Sequence, residues 1–209
     1  MQYSEYTLKD FTDVLSAATP TPGGGGASAL CAAIGTSLGS MVAKLTEKNK
    51  NYADVSEDMR AFAQKAYELK VRFLSLIDED AQAYEPLSCA YKLKRDTDEQ
   101  KAARSAAIQA SLLNACLVPL KIIETCAEAI DLLKLISDKG SKMVLCDTCA
   151  GLMMLRSSIN TASLNVFINL KSMADKETAQ KLKNKTTGLV STYTKKADDI
   201  YNEVLKTIS

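Results

Sequence analysis

Residues 23–46 read GGGGASALCAAIGTSLGSMVAKLT, and the spacing of their apolar and small residues indicates the fold class. After four glycines, large apolar residues recur at helical spacing on one stripe and small residues on the adjoining stripe. Small residues let two helix backbones approach closely. The stretch therefore predicts a helix that begins at about Ala27 and packs tightly against another helix. Its large stripe is Leu30, Ile34, Leu38, Met41 and Leu45, and its small stripe is Ser28, Ala32, Gly35, Gly39 and Ala43.

The same stretch carries no charge from Gly23 to Ala43, so a membrane-spanning helix is the alternative. Its content of Gly, Ser and Thr favours a soluble helix, and we find no comparable second apolar segment. We therefore expect no membrane partner.

Helical periodicity continues through the rest of the chain, and no strand or internal repeat is recognisable. The sequence predicts one all-α domain over residues 1–209, a bundle of about five to six mostly antiparallel helices. Pro86 and Pro119 are expected to kink or break their helices. The other expected helices cover residues 7–17, 55–91, 102–137, 142–172 and 175 onward, with residues 92–101 as a connection.

Charge and composition exclude several classes of function. Twenty-six basic and 25 acidic residues leave a net charge of +1, whereas a nucleic-acid-binding protein needs a clustered basic excess. The chain has no histidine, which excludes Ser-His-Asp and Cys-His hydrolases and His-ligated zinc or haem sites. We expect no nucleic-acid partner and no metal.

The cysteines are expected to be reduced thiols in a cytoplasmic protein, because the first five residues are polar and give no secretory start. The one CxxC motif, Cys146 to Cys149, lacks the second pair that zinc needs and the preceding strand of a thioredoxin-like site. Core packing is the favoured interpretation of this pair. The six cysteines are at positions 31, 89, 116, 126, 146 and 149.

Asp80 is the first polar residue that breaks an apolar pattern. Steps of three and four along the stripe Ala66, Leu69, Phe73 and Leu76 lead to Asp80, whereas Asp78 and Glu79 leave the stripe and are expected to be solvated. A carboxylate among apolar neighbours has a raised pKa, which suits proton transfer. The alternative is a structural aspartate that caps a helix or pairs with a lysine.

Two further stretches combine small and polar residues. Asp147, Gly151, Ser158, Asn165 and Asn169 share one helix face, which predicts either a polar ligand cleft or buried pairing between helices. The glycine run before Ala27 exposes backbone N–H groups that suit an anion, although it is neither a P-loop nor a dinucleotide-binding turn. A flexible corner is the alternative for the glycines.

These three places, in this order, resemble the formiminotransferase-cyclodeaminase C-terminal domain family, which includes stand-alone methenyl-tetrahydrofolate cyclohydrolases. The similar segments cover nearly the whole chain. Two places depart from the family pattern: Gly26 replaces a serine, and the loop around Lys94, Lys92-Leu93-Lys94-Arg95, lacks the proline of the family's Leu-Pro-Lys. The similar segments are Pro20 to Gly25, Met41 to Thr46, Asp80-Ala81-Gln82-Ala83-Tyr84, Asp147 to Gly151 and Asn165 to Leu170.

The resemblance implies a helical homodimer that acts on the one-carbon unit of tetrahydrofolate, with sites near the subunit contact and no metal or organic cofactor. It implies formimino-tetrahydrofolate cyclodeaminase activity, in which a ring closes and ammonia leaves. Methenyl-tetrahydrofolate cyclohydrolase activity is the alternative, and a folate-binding or scaffold protein without activity is the third. The chain is too short to hold the formiminotransferase half as well.

Residue roles follow from the resemblance together with the helical pattern. Asp80 is the expected acid/base group, and Tyr84 belongs to the same segment. Asp147 is a candidate partner for the pterin ring, and Asn165 and Asn169 for amides or water. The backbone N–H groups of Gly24 and Gly25 are candidates to hold the glutamate-tail carboxylate or to shape the corner, and Lys44 is a candidate to neutralise that tail.

Overall fold

The structure is a computed structural model that describes residues 2–208, without the side chains of residues 207 and 208. Within those residues it contains no strand, which confirms the all-α prediction. Short 3₁₀ turns lie at Tyr3–Glu5, Lys50–Val55 and Lys142–Val144. The α-helices are α1 (Leu8–Leu15), α2 (Gly24–Glu47), α3 (Ser56–Tyr91), α4 (Asp98–Lys139), α5 (Leu145–Ser172) and α6 (Lys176–Ile208).

Helices α2 to α5 form a four-helix bundle. Each packs on two others in a ring, α2 on α3, α3 on α4, α4 on α5 and α5 on α2, while α6 covers the outside of α5 and α4. One continuous apolar core fills the ring, with Phe73, Leu112, Ile130 and Leu152 among its fully buried side chains. The prediction of one helical bundle is confirmed.

The tight packing expected for α2 occurs against α5. A Cβ atom on Gly35 would lie 2.7 Å from the carbonyl oxygen of Gly151, and one on Gly151 would lie 2.6 Å from that of Gly35. Gly39 is equally close to Leu133 of α4. The small stripe of α2 is therefore its buried face. The large stripe points outward, and Ile34, Met41 and Leu45 are exposed.

Several helix ends differ from the predicted positions. Helix α2 begins at Gly24 rather than Ala27, so three glycines belong to its first turn. Helix α4 begins at Asp98, because Thr97 and Gln100 form a capping box inside the segment expected to be a connection. Neither Pro86 nor Pro119 ends its helix. Thr7 caps α1 as expected.

Two helices, α2 and α4, are long and apolar enough to cross a membrane by length and composition. The expectation that no second apolar segment exists is therefore wrong. About half of each apolar window, 56% in α2 and 50% in α4, is buried inside the bundle, so both helices supply the core described above.

All six cysteines are free thiols. Cys149 is buried against Leu145 and Val204, and burial raises its pKa, which makes it a poor nucleophile. Cys146 is exposed, so the packing interpretation holds for one member of the CxxC pair and not for the other.

Candidate active site

A cavity of about 430 Å³ lies where the N-terminal end of α2 meets α3, α4 and the C-terminal half of α5. It brings together most of the site residues predicted from the sequence, although they come from three separate segments of the chain. The predicted residues in its wall are Gly24, Gly25, Asp80, Tyr84, Asn165 and Asn169.

Asp80 and the glycine turn are in direct contact. A Cβ atom on Gly25 would overlap both carboxylate oxygens of Asp80, so a residue with any side chain at position 25 would displace the carboxylate. The backbone N–H of Gly26 donates toward the same carboxylate. The first turn of a helix has unpaired N–H groups, and the N-cap residue of α2, Gly23, has no side chain that could accept from them. Asp80 thus stabilises the start of α2 and also faces the cavity.

The environment of Asp80 shifts its titration toward neutral pH. Burial raises the pKa of Asp80 from its ordinary value of 3.8 to about 6, and the Gly26 N–H, which favours the charged form, offsets part of that rise. At pH 7 about one molecule in ten would carry the proton. The same carboxyl group is therefore able to accept a proton and to return it.

The contact with Asp80 changes the interpretation of the glycine run. Gly24 and Gly25 had two candidate roles, to hold the carboxylate of a ligand or to shape the corner. Because the carboxylate of Asp80 already occupies this helix start, a second anion there would be repelled. The structure therefore favours the corner-shaping role.

The Asn169 side chain is held by a backbone carbonyl of α4 that lacks its hydrogen bond within the helix. Pro119 has no backbone N–H, so the carbonyl of Ala115, four residues earlier, lacks its partner within the helix. The Asn169 side-chain amide donates to that carbonyl at 3.0 Å. Ala115, Pro119 and Asn169 all line the cavity. This hydrogen bond fixes the Asn169 side chain. The side-chain carbonyl oxygen is then the atom that can accept a hydrogen bond from a ligand.

The rest of the polar face of α5 packs between helices. Gly151 contacts the α2 backbone, and the Ser158 hydroxyl donates to the carbonyl of Met154 in its own helix. Asn165 lies at the cavity, where its amide donates to Thr161 at 3.3 Å. Asn165 therefore lies at the cavity and Gly151 in the contact between helices, and the ligand cleft on this face stays a prediction.

Lys44 and Asp147 lie at the opposite end of the bundle. Lys44 is about 30 Å from Gly24 along α2, and Asp147 is about 27 Å from Asn165 along α5, at 1.5 Å per residue. Neither lines the cavity. Lys44 is exposed beside Met41 and Tyr67 instead. One chain therefore does not bring these two residues to the site that holds Asp80.

Sequence reasoning missed four wall residues, three of them polar or aromatic, and the burial of Asp78. Thr21, Tyr91 and Ser172 line the cavity together with Pro20. Asp78, expected to be solvated, is buried, because the N-terminal turn folds over it. The Pro-Thr-Pro run before the glycines was the only signal for Pro20 and Thr21, since helical periodicity does not report on loops. Tyr91 and Ser172 are the last residues of α3 and α5.

The structure has room at Gly26 for the serine that the family pattern has at this position. A Cβ atom there would make ordinary contacts of 3.5 Å with Pro22 and 3.6 Å with Ile77. Within residues 2–208, no group of three His, Cys, Asp or Glu side chains is placed to hold a metal ion.

Comparisons with known proteins identify relatives of this chain. A sequence profile of the formiminotransferase-cyclodeaminase family matches residues 7–188. A methenyltetrahydrofolate cyclohydrolase of Methylorubrum extorquens is 36% identical to this chain, and the match covers 88% of this chain and 89% of the relative's length. A formimidoyltransferase-cyclodeaminase of Rattus norvegicus is 30% identical over 88% of this chain but only 34% of its own.

The fold has also been solved in a related protein. The structure of a formiminotetrahydrofolate cyclodeaminase from Thermotoga maritima superimposes with a TM-score of 0.81 at 25% identity, over 98% of this chain and 96% of that one. The extent of these matches, together with the shared fold, places the chain in the formiminotransferase-cyclodeaminase family.

Proposed function

We propose that this chain is an enzyme of one-carbon folate chemistry and that Asp80 moves the proton in its reaction. The observation that carries the proposal is the Asp80 carboxylate itself, which faces a cavity, touches the glycine turn and has its pKa raised to about 6. A group with a pKa near the working pH is an efficient general acid and base.

The first candidate reaction is that of a formimino-tetrahydrofolate cyclodeaminase. The folate nitrogen next to the one that carries the formimino group attacks the formimino carbon and gives up its proton, a tetrahedral intermediate forms, and ammonia leaves as the methenyl bridge closes. The leaving nitrogen needs a proton, which protonated Asp80 would supply. The name of the Thermotoga maritima structure supports this reaction.

The second candidate is that of a methenyl-tetrahydrofolate cyclohydrolase. Water adds to the methenyl carbon and the ring opens to the formyl compound, so ionised Asp80 would take a proton from the water. A specific observation favours it: the Methylorubrum extorquens cyclohydrolase matches over nearly the full length of both chains, whereas this chain spans about a third of the bifunctional relatives.

The other cavity residues bind and orient the substrate in this proposal. The Asn165 amide group and the carbonyl oxygen of Asn169 would face polar atoms of the folate, and Tyr84 would pack beside Asp80. Both reactions combine addition to the one-carbon unit, cleavage of a C–N bond and proton transfer, with no change of oxidation state, so we propose that no metal or organic cofactor takes part.

An absorbance assay tests the function. The purified protein is given formimino-tetrahydrofolate and, separately, methenyl-tetrahydrofolate, and the methenyl chromophore and ammonia are followed. Growth of the chromophore with ammonia release supports a cyclodeaminase, and faster decay of supplied methenyl compound supports a cyclohydrolase. Folate binding by calorimetry with no turnover of either compound would contradict an enzyme and leave a folate-binding protein.

We also propose that the protein is a cytoplasmic homodimer whose subunits meet on the exposed stripe of α2. Ile34, Met41 and Leu45 are 43%, 38% and 47% exposed, and Tyr67 of α3 is 50% exposed beside them. A contiguous apolar surface of this kind is typical of an interface. A two-fold axis near the middle of α2 would bring the end of one copy that carries Lys44 near the Gly24 end of the other.

Mixing of two variants tests the dimer. If sites are shared, Asp80→Asn and Lys44→Gln subunits, each impaired alone, should recover about a quarter of wild-type activity when refolded together, because half of the dimers then hold one intact site. No recovery in demonstrably mixed dimers would contradict shared sites. Sedimentation of Met41→Asp against Leu8→Asp, a control on an exposed residue of α1, would locate the interface.

A further inference from the structure

Asp78 lies two residues before Asp80 on α3 and faces the N-terminal turn rather than the cavity. Its side chain is buried, with 8% exposure, and both oxygens accept hydrogen bonds. The Tyr3 backbone N–H donates at 2.6 Å and the Ser4 hydroxyl at 2.5 Å. A buried carboxylate needs such donors, and here both come from one segment that is 74 and 75 residues distant in sequence.

The Tyr3 side chain continues this connection toward the candidate active site. Its ring packs edge-on against Tyr6, with centroids 5.5 Å apart. Its hydroxyl lies 3.3 Å from the carbonyl oxygen of Thr21 and 3.2 Å from the Thr21 hydroxyl. The Thr19 hydroxyl donates to the same carbonyl at 3.0 Å. The N-terminal turn therefore joins α3 to the segment before α2.

Thr21 belongs to the wall of the cavity and lies just before the glycine turn. Pro20 and Thr21 line the cavity that holds Asp80, and they separate it from a second cavity of about 320 Å³ lined by Tyr3 and Asp78. Four residues further on, Gly25 touches Asp80. The segment from Thr19 to Gly25 is thus attached to α3 at both ends, through Asp78 and Tyr3 at one end and through Asp80 at the other.

We propose that Asp78 is a positioning residue, which acts through Tyr3 to hold the Pro20–Thr21 wall of the active site in place. Asp78 does not face the substrate cavity. It holds the N-terminal turn by two hydrogen bonds, and the turn holds Thr21 through the Tyr3 hydroxyl. The position of Thr21 limits how the folate lies against Asp80. The inference rests on the proposed function, since the wall matters for turnover only if the cavity binds the substrate.

Tyr3→Phe is the sharpest variant, because it removes only the hydroxyl that reaches Thr21. Its matched control is Tyr6→Phe on the neighbouring ring. Asp78→Asn removes one of two acceptors at nearly constant size, and its control is Glu79→Gln, an adjacent carboxylate that pairs with Lys121 on the surface. Thermal unfolding checks that all four variants are folded.

We expect Tyr3→Phe to raise KM for the folate about three- to tenfold with kcat within about twofold, as expected for the loss of one positioning hydrogen bond. Asp78→Asn should change KM in the same direction by a larger factor. The pH dependence of kcat should keep its wild-type midpoint in both variants, because Asp80 is untouched. Folded variants with wild-type KM would overturn the proposal.

Hydrogen exchange separates this inference from the function on which it rests. Backbone amides of residues 19–26 should exchange faster in Tyr3→Phe and Asp78→Asn than in the wild type and the two controls. Unchanged exchange in both variants would overturn the anchoring, whatever the enzyme does. A wild-type protein that turns over neither folate would instead contradict the proposed function, while faster exchange would still support the anchoring.

Discussion

Helix α2 uses glycine at two places for two different purposes. At its start, Gly25 leaves room for the carboxylate of Asp80, which is a functional group at a cavity. In its middle, Gly35 leaves room for the backbone of α5 at Gly151, which is packing. In the proposed function, the missing side chain serves chemistry in the first place and stability in the second. Substitutions at the two places should therefore affect different measurements.

The largest expected effect is on turnover. Asp80→Asn removes the proton-transfer group but keeps an oxygen that accepts from Gly26, so the protein should fold and bind folate. We expect kcat to fall by about 10²- to 10⁴-fold, the usual contribution of a general acid or base. Steady-state kinetics with calorimetry of folate binding checks both parts. A wild-type rate would remove Asp80 from the mechanism.

The second effect is on stability. Gly35→Ala places a Cβ atom 2.7 Å from the carbonyl oxygen of Gly151, so α2 and α5 must separate. We expect the free energy of unfolding to fall by about 1–3 kcal/mol, as for other overpacked cores. Urea unfolding gives the value.

Gly188 supplies the control for this substitution. A Cβ atom there meets nothing within 4 Å on the exposed face of α6. Gly188→Ala should stabilise the protein by about 0.5–1 kcal/mol, because alanine favours the helix. Equal effects at positions 35 and 188 would contradict close packing of the two backbones.

The third effect separates neighbouring glycines in the first turn of α2. Gly25→Ala forces the Asp80 carboxylate to move, whereas Gly26→Ala makes only ordinary contacts. We expect kcat to fall at least about tenfold in Gly25→Ala, since small displacements of a catalytic group are costly, and to stay within about threefold in Gly26→Ala. Similar activities would show that the contact with Gly25 does not position Asp80.

The smallest effect is expected at the CxxC motif. Burial raises the pKa of Cys149, so this thiol lacks the low pKa of a redox centre, and Cys146 is exposed, so its substitution removes little packing. Cys146→Ser should change the free energy of unfolding by less than about 0.5 kcal/mol and leave activity unchanged under reducing conditions. A loss of activity would assign this motif a role in the reaction.

The parts that follow helical periodicity were predictable from the sequence. The position of Asp80 on an apolar stripe placed it at the core, and the small residues of α2 indicated close packing. The bond from Asn169 to Ala115 was not predictable, because it depends on how α4 and α5 meet around Pro119. The burial of Asp78 was not predictable either, because it depends on a turn 75 residues away.

Lys44 and Asp147 show a different limit. Their segments resemble those of the family, but resemblance along a chain does not say which side chains meet in one subunit. Helices α2 and α5 run antiparallel, so these residues lie together at the end remote from Asp80. The role of both in binding folate remains a prediction tied to the dimer.

The pH dependence of kcat shows whether Asp80 moves the proton in the reaction. With its pKa raised to about 6, Asp80 loses its proton between about pH 5 and 7. If ionised Asp80 activates water, kcat rises with pH and levels off above 7. If protonated Asp80 gives its proton to the nitrogen that leaves as ammonia, kcat falls over the same range. We expect either curve to have its midpoint near pH 6 in the wild type and to be missing in Asp80→Asn. A flat wild-type profile from pH 5 to 7 would contradict a role of Asp80 in proton transfer.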